Sequence, residues 1–148
     1  MTEQCLTALL KNPFKFLVRV YIEDTDAGGI VYYGNYLKFM ERARTEFLRS
    51  LGYHKAAVSE NGTLMVVHSA NIEYHRPARL DDVLTVTCSV SKLARSYVEF
   101  QQFVYRDQEL LSTGSVRVAC VNPVTMKPQA MSAALNLQLT DYIESTQG

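Results

Sequence analysis

One segment limits the fold more than any other. From Asn35 to Leu51, the residues Tyr36, Leu37, Met40, Ala43, Phe47, Leu48 and Leu51 recur at three- and four-residue steps, while Glu41, Arg42, Glu46 and Arg49 occupy other faces. The spacing predicts a long amphipathic helix, and Gly52 stands where a left-handed residue would end it. An apolar face that wide needs something large to cover it. The rest of the chain offers strands. Phe14 to Glu23 alternates, with Phe16, Val18, Val20 and Ile22 to one side and Leu17, Arg19 and Tyr21 to the other. Leu64 to Tyr74, Val83 to Ala94, Tyr97 to Arg106 and Leu111 to Val121 are rich in Val, Thr, Tyr and Phe, and turn signals such as Arg76-Pro77, Asp81-Asp82 and Asn122-Pro123 separate them. Several antiparallel strands against one long helix make an α+β domain.

The chain's 148 residues suit a single domain with a real core. That core is expected over about 14–128; the stretch 129–148 has only a weak helical pattern and reads as a C-terminal tail. Fifteen basic and fifteen acidic residues give zero formal charge. This argues against a general nucleic-acid binder but leaves room for a local basic patch on one phosphorylated ligand. The apolar stretch near the N-terminus is too short for a secretory signal, and Glu3 precedes it where positive charge belongs. No run reaches transmembrane length, so a cytoplasmic protein is expected. Cys5, Cys88 and Cys120 lack metal or redox spacing and read as free thiols, with Cys88 and Cys120 buried in strands. Asn61-Gly62-Thr63 matches a glycosylation acceptor but reads as a turn. His54, His68 and His75 form no ligand pair, so no metal is expected. Serine-hydrolase, Walker A and dinucleotide fingerprints are absent.

Between the first strand and the helix runs Tyr21-Ile-Glu-Asp-Thr-Asp-Ala-Gly-Gly-Ile-Val-Tyr-Tyr-Gly-Asn-Tyr36. It sets Asp26 in a glycine-containing loop just before a helix N-terminus, where unpaired N–H groups and a partial positive charge can polarise a carbonyl. A carboxylate beside such a donor is a minimal kit for splitting an acyl bond. Taken alone, Asp26 reads more readily as a solvated turn residue or a cap, since aspartate is favoured in turns. Asp24 reads as a loop or capping residue, and Glu23 as structural.

The segment Glu23 to Tyr36 resembles the signature of the 4-hydroxybenzoyl-CoA thioesterase family, whose fold is the hotdog: a curled antiparallel sheet wrapped around one long helix. Glu41-Arg-Ala-Arg-Thr-Glu46, Tyr74-His-Arg-Pro-Ala-Arg-Leu-Asp-Asp82 and Cys120-Val-Asn-Pro-Val-Thr-Met-Lys-Pro128 are similar to blocks of the acyl-CoA thioesterases linked to the Tol-Pal envelope system. Four separated blocks in the right order make the resemblance specific, and it spans about Phe16 to Pro128.

The resemblance implies an acyl-CoA thioesterase in which Asp26 is the catalytic aspartate, as nucleophile or as general base. It implies that the Tyr33 backbone N–H polarises the thioester carbonyl. The Tol-Pal-linked subgroup commonly carries histidine at that position. Tyrosine keeps the backbone donor, since any residue but proline supplies an N–H, and removes any role of an imidazole. Lys92 and Arg95, flanking a turn that lies near the nucleotide in the family, are candidates to hold CoA phosphates; Arg76 and Arg79 are weaker ones. Tyr36, Met40 and Val66 are candidates to line an acyl slot, although core packing explains the same spacing. No cofactor is implied beyond the CoA of the substrate, and acyl carrier protein could replace CoA as the carrier. Relatives pair edge to edge, so a homodimer or homotetramer is expected. A hotdog dehydratase acting on 3-hydroxyacyl thioesters and a non-catalytic binding module are the alternatives.

Overall fold

The computed structural model describes residues 13–53 and 62–147, so Cys5, His54 and Asn61 lie outside the described residues. In chain order the elements are β1 (Phe14–Arg19), a 3-10 turn (Ile22–Asp24), α1 (Asn35–Ser50), β2 (Leu64–Tyr74), β3 (Val83–Leu93), β4 (Tyr97–Arg106), β5 (Glu109–Val121) and α2 (Ala133–Gln147). The strands form one antiparallel sheet in the order β1-β3-β4-β5-β2. It curls around α1, as the hotdog resemblance implies.

Two apolar clusters lie along the helix. Near its start, Tyr36, Phe39, Met40 and Ala43 pack with Val20, Leu84, Val86, Val104 and Leu111. Near its end, Phe47 and Leu48 pack with Cys88, Val98, Phe100, Val116 and Cys120. Both strand cysteines are buried and free, as expected. In the middle, helix and sheet approach closely at Gly114 of β5, where an added Cβ would sit 2.6 Å from Met40 Sδ. The absent side chain is what admits the fully buried thioether.

The helix ends as its sequence predicts. Gly52 adopts φ +98°, and Gly52 N–H and Tyr53 N–H donate to Arg49 O and Leu48 O at 2.9 and 3.0 Å. The buried stripe is turned slightly from the expected one. Leu37 is 43% exposed, whereas Phe39 and Arg44 are buried. Among the described residues β2 is an edge strand of the sheet. β2 bulges between Val67 and Ser69, and its residues from Val67 to Asn71 are exposed.

Two expectations meet differences. β1 stops at Arg19 and Ile22 is exposed rather than inward, because Asp24 closes a turn on Tyr21: Asp24 N–H donates to Tyr21 O at 3.0 Å, and Tyr21 N–H donates to Asp24 Oδ2 at 2.8 Å. The stretch expected as a tail forms α2, which buries Leu135 and Leu139. Ser132 Oγ accepts the Leu135 N–H at 3.1 Å, a cap at the start of that helix. Its periodicity is weak because apolar residues also stand on its outer face; Leu137 is 61% exposed.

Candidate active site

The loop between β1 and α1 is a small hairpin. Thr25 bridges Val31, Ile30 bridges Arg79, and Asp26 N–H donates to Ile30 O at 2.9 Å. Gly29 turns the chain with φ +78°, a conformation an L side chain resists. At the tip Asp26 is exposed, and its Oδ1 accepts the Gly28 N–H at 2.9 Å. A Cβ on Gly28 would lie 3.3 Å from that same oxygen, so the glycine also gives the carboxylate room. Asp26 Oδ2 has no hydrogen-bond partner among the described residues. The carboxylate is thus oriented through one oxygen and open through the other.

Asp24 fastens this loop to the helix. It is only 5% exposed, and its Oδ1 accepts from Asn35 Nδ2 at 2.8 Å while Tyr32 N–H donates to its backbone carbonyl at 2.9 Å. The expected loop-or-cap role of Asp24 therefore takes a specific form, a latch between the turn and the first residue of α1. The sequence reading missed Asn35 as the other half. The signal was an asparagine just after Gly34, which stands at the N-cap and supplies no side-chain cap.

The start of α1 keeps donors free. Asn35 N–H and Tyr36 N–H donate to Tyr32 O and Tyr33 O at 2.8 and 3.4 Å, but the Tyr33 and Gly34 N–H groups make no hydrogen bond among the described residues. Tyr74 Oη donates to Tyr33 O at 3.0 Å and steadies that residue from the other side. Four phenols gather here. The Tyr32 and Tyr33 rings lie 4.7 Å apart, Tyr33 meets Tyr74 edge-on at 6.3 Å, and Tyr74 meets Tyr36 at 5.3 Å. A hydrogen bond with the Tyr33 phenol raises the Tyr32 pKa, and burial raises those of Tyr36 and Tyr74. All three remain neutral near pH 7.

The other candidates divide. Tyr36 and Met40 are buried in the core; the Tyr36 oxygen accepts the Ala78 N–H at 3.0 Å. Val66 is half-buried on β2. Lys92 and Arg95 are exposed at the end of β3 remote from the hairpin, whose Val31 N–H reaches Ala78 O just before that strand begins. Within one chain the structure does not bring them to Asp26. Lys92 Nζ instead sits 5.7 Å over the Tyr97 ring, and Arg95 borders a groove with Leu93, Met131 and Leu137. Arg76 pairs with Glu109 at 3.0 Å, and Asp82 is held by Arg106 at 2.7 Å rather than by the Arg79 side chain. His68 is exposed on β2, and His75 bonds Thr113.

A fold of this shape carries many activities, so the comparison with known proteins decides the family. Residues 28–113 match the model of the thioesterase superfamily. The chain belongs to that superfamily. It is similar to the acyl-CoA thioesterase YbgC of Haemophilus influenzae, 46% identical over 82% of this chain and 90% of that protein. It is likewise 41% identical to the acyl-CoA thioester hydrolase YbgC of Escherichia coli, over 82% of this chain and 92% of that one. Among solved structures, a probable thioesterase from Bartonella henselae is 35% identical, covers 82% of this chain and 100% of that chain, and superposes with a TM-score of 0.72. The thioesterase reading of Glu23 to Tyr36 and the hotdog fold both stand. This member of the superfamily is an enzyme, a thioester hydrolase.

Proposed function

We propose that this thioesterase hydrolyses acyl-CoA, RCO–S–CoA plus water giving a carboxylic acid and CoA, at the junction of the Asp26 loop and α1. The reading rests on one observation: the Tyr33 N–H is unpaired at the start of a long helix while the nearby Asp26 carboxylate keeps an open oxygen. The donor, aided by the helix dipole, meets the negative charge that gathers on the carbonyl oxygen as the thioester is attacked. Asp26 either attacks the carbonyl carbon, expelling CoA thiolate and leaving an anhydride that water cleaves, or takes a proton from a water that attacks directly. A thioester is electrophilic and its thiolate leaves readily, so neither a metal nor a redox cofactor is required. The acyl-CoA names of the Haemophilus and Escherichia relatives support the same substrate.

Lys92 and Arg95 serve CoA phosphates from a second copy of the chain, since they lie far from Asp26 within one. The open β2 edge is the place for that copy to join, extending the sheet and covering the exposed Val67. The enzyme works in the cytoplasm as a homodimer or larger homo-oligomer, on CoA or on acyl carrier protein thioesters. No helix among the described residues is long and apolar enough to cross a membrane.

The test is thiol release from a panel of acyl-CoAs by wild type and by Asp26→Asn. The substitution should cut kcat by about a thousandfold or more with a small change in KM, as expected when a group acting in the transition state is lost. Water loss from 3-hydroxyacyl-CoA without thiol release would replace this reading with a dehydratase. A folded protein inert on CoA and carrier-protein thioesters would replace it with a binding module.

A further inference from the structure

Away from the Asp26 loop, a cavity of about 190 Å³ opens between α1 and the sheet near the β2 edge. Its walls are mostly apolar, from Leu48, Met65, Phe100 and Val118 together with Thr45, yet Arg44 also lines it. The Arg44 residue is only 9% exposed, and burial lowers the pKa of its guanidinium. Arginine carries five N–H donors. Among the described residues Arg44 makes one hydrogen bond, from Nη1 to Gln102 Oε1 at 3.0 Å. No fully buried side-chain nitrogen or oxygen among those residues lacks a partner, so the spare donors of Arg44 open onto the cavity. A buried cation with unused donors in an apolar hole is poorly compensated unless something brings it an anion.

Two titratable groups could offset it. Glu41 borders the cavity and its charge favours the Arg44 cation, but Glu41 is exposed and forms no ion pair with Arg44, so water weakens that attraction. The Cys88 thiol near Arg44 is kept neutral by burial. Gln102 is uncharged, and its amide is already engaged with Met40 O. The field inside the cavity is therefore set by the guanidinium.

We propose that this cavity is a subsite for an aliphatic carboxylate, with the carboxylate accepting from Arg44 and the carbons against the apolar walls. Arg44 lies nine residues beyond Asn35, about 14 Å along the helix axis, and a stripe through Tyr33, Leu37 and Glu41 leads there from the donor end. An extended chain of about a dozen bonds covers that distance. The carboxylate can come from the far end of a dicarboxylic acyl group whose thioester sits at Tyr33, or from a free carboxylic acid. The first source rests on the thioesterase reading; the second does not.

Two measurements on the full-length chain decide this. In the first, hexanoate is titrated into arginine-side-chain-labelled protein and followed by NMR, with 1-hexanol as the uncharged control. The Arg44 Nε signal should shift saturably with hexanoate only, and Thr45→Phe, which fills the cavity from a half-buried position on α1 and leaves Arg44 in place, should abolish the shift. In the second, kcat/KM for dodecanedioyl-CoA relative to dodecanoyl-CoA is compared in wild type, Arg44→Met and Thr45→Phe. The ratio should fall at least tenfold in each variant, a change that general destabilisation would not produce. A shift with hexanoate but an unmoved ratio supports the subsite and names the free acid; the reverse supports it and names the acyl terminus. Neither effect, with Thr45→Phe folded, overturns it. If no thioester is hydrolysed the proposed function fails, and the hexanoate titration alone still decides the cavity.

Discussion

The two ends of α1 are built in opposite ways. At its C-terminal end every device that finishes a helix is in use: Gly52 in the left-handed region, the paired bonds to Arg49 and Leu48, and Phe47 packed with Phe100 and Tyr142 at ring distances of 6.1 and 4.7 Å. At the N-terminal end Gly34 offers no side-chain cap, the Tyr33 and Gly34 N–H groups are unpaired among the described residues, and the Tyr33 ring is largely exposed. Capping those donors would stabilise the helix by about 1 kcal/mol. The fold leaves that out where a carbonyl oxygen would need the donors, and anchors the same helix elsewhere. Stability and chemistry are assigned to different turns of one element.

That division can be broken by substitution. Phe47→Ala should have the largest effect on stability, about 3–5 kcal/mol in a urea titration, while kcat per folded molecule stays near wild type. A fall in kcat as steep as the fall in stability would mean that the ends are not separate. Asp24→Ala removes the latch to Asn35 and should cost about 1–3 kcal/mol. It should also lower kcat more than tenfold at nearly constant KM, because it loosens the junction between loop and helix; steady-state kinetics alongside melting will show whether it does. Gly52→Ala puts a side chain at φ +98° and should cost about 1 kcal/mol by thermal melting with no change in kcat. Activity lost there would put the two ends in communication.

Much of this was legible before any coordinates. The long helix, its glycine stop, the strand segments and the Asp26 loop all depend on local pattern, and local pattern is what a sequence displays. What escaped depends on three-dimensional neighbours. Arg44 reads as one more charged helix residue, and only the curl of the sheet and the position of Gln102 bury it. Ile22 continues an alternation that the Asp24 turn interrupts. α2 is hidden by apolar residues on both its faces, since Leu137 is as greasy as the buried Leu135. Tyr36 and Met40 were placed on the correct helix, but whether such side chains meet ligand or core is decided by the sheet; Gly114 gives Met40 its space. Lys92 and Arg95 are surface residues in either view, and their distance from Asp26 follows from the length of β3.

Tyr142 has a consequence for how the molecule is made. Its hydroxyl lies between the Phe14 N–H and the Cys88 carbonyl, at 3.3 and 3.2 Å, and its ring covers Phe47. Phe14 begins the first strand and Tyr142 lies in the last helix, so this contact cannot form until almost the whole described chain has left the ribosome. Until then the first strand, the long helix and β3 can associate with their seam unsealed. The nascent protein is thus most in need of protection late in synthesis, with Phe47 on view to other chains.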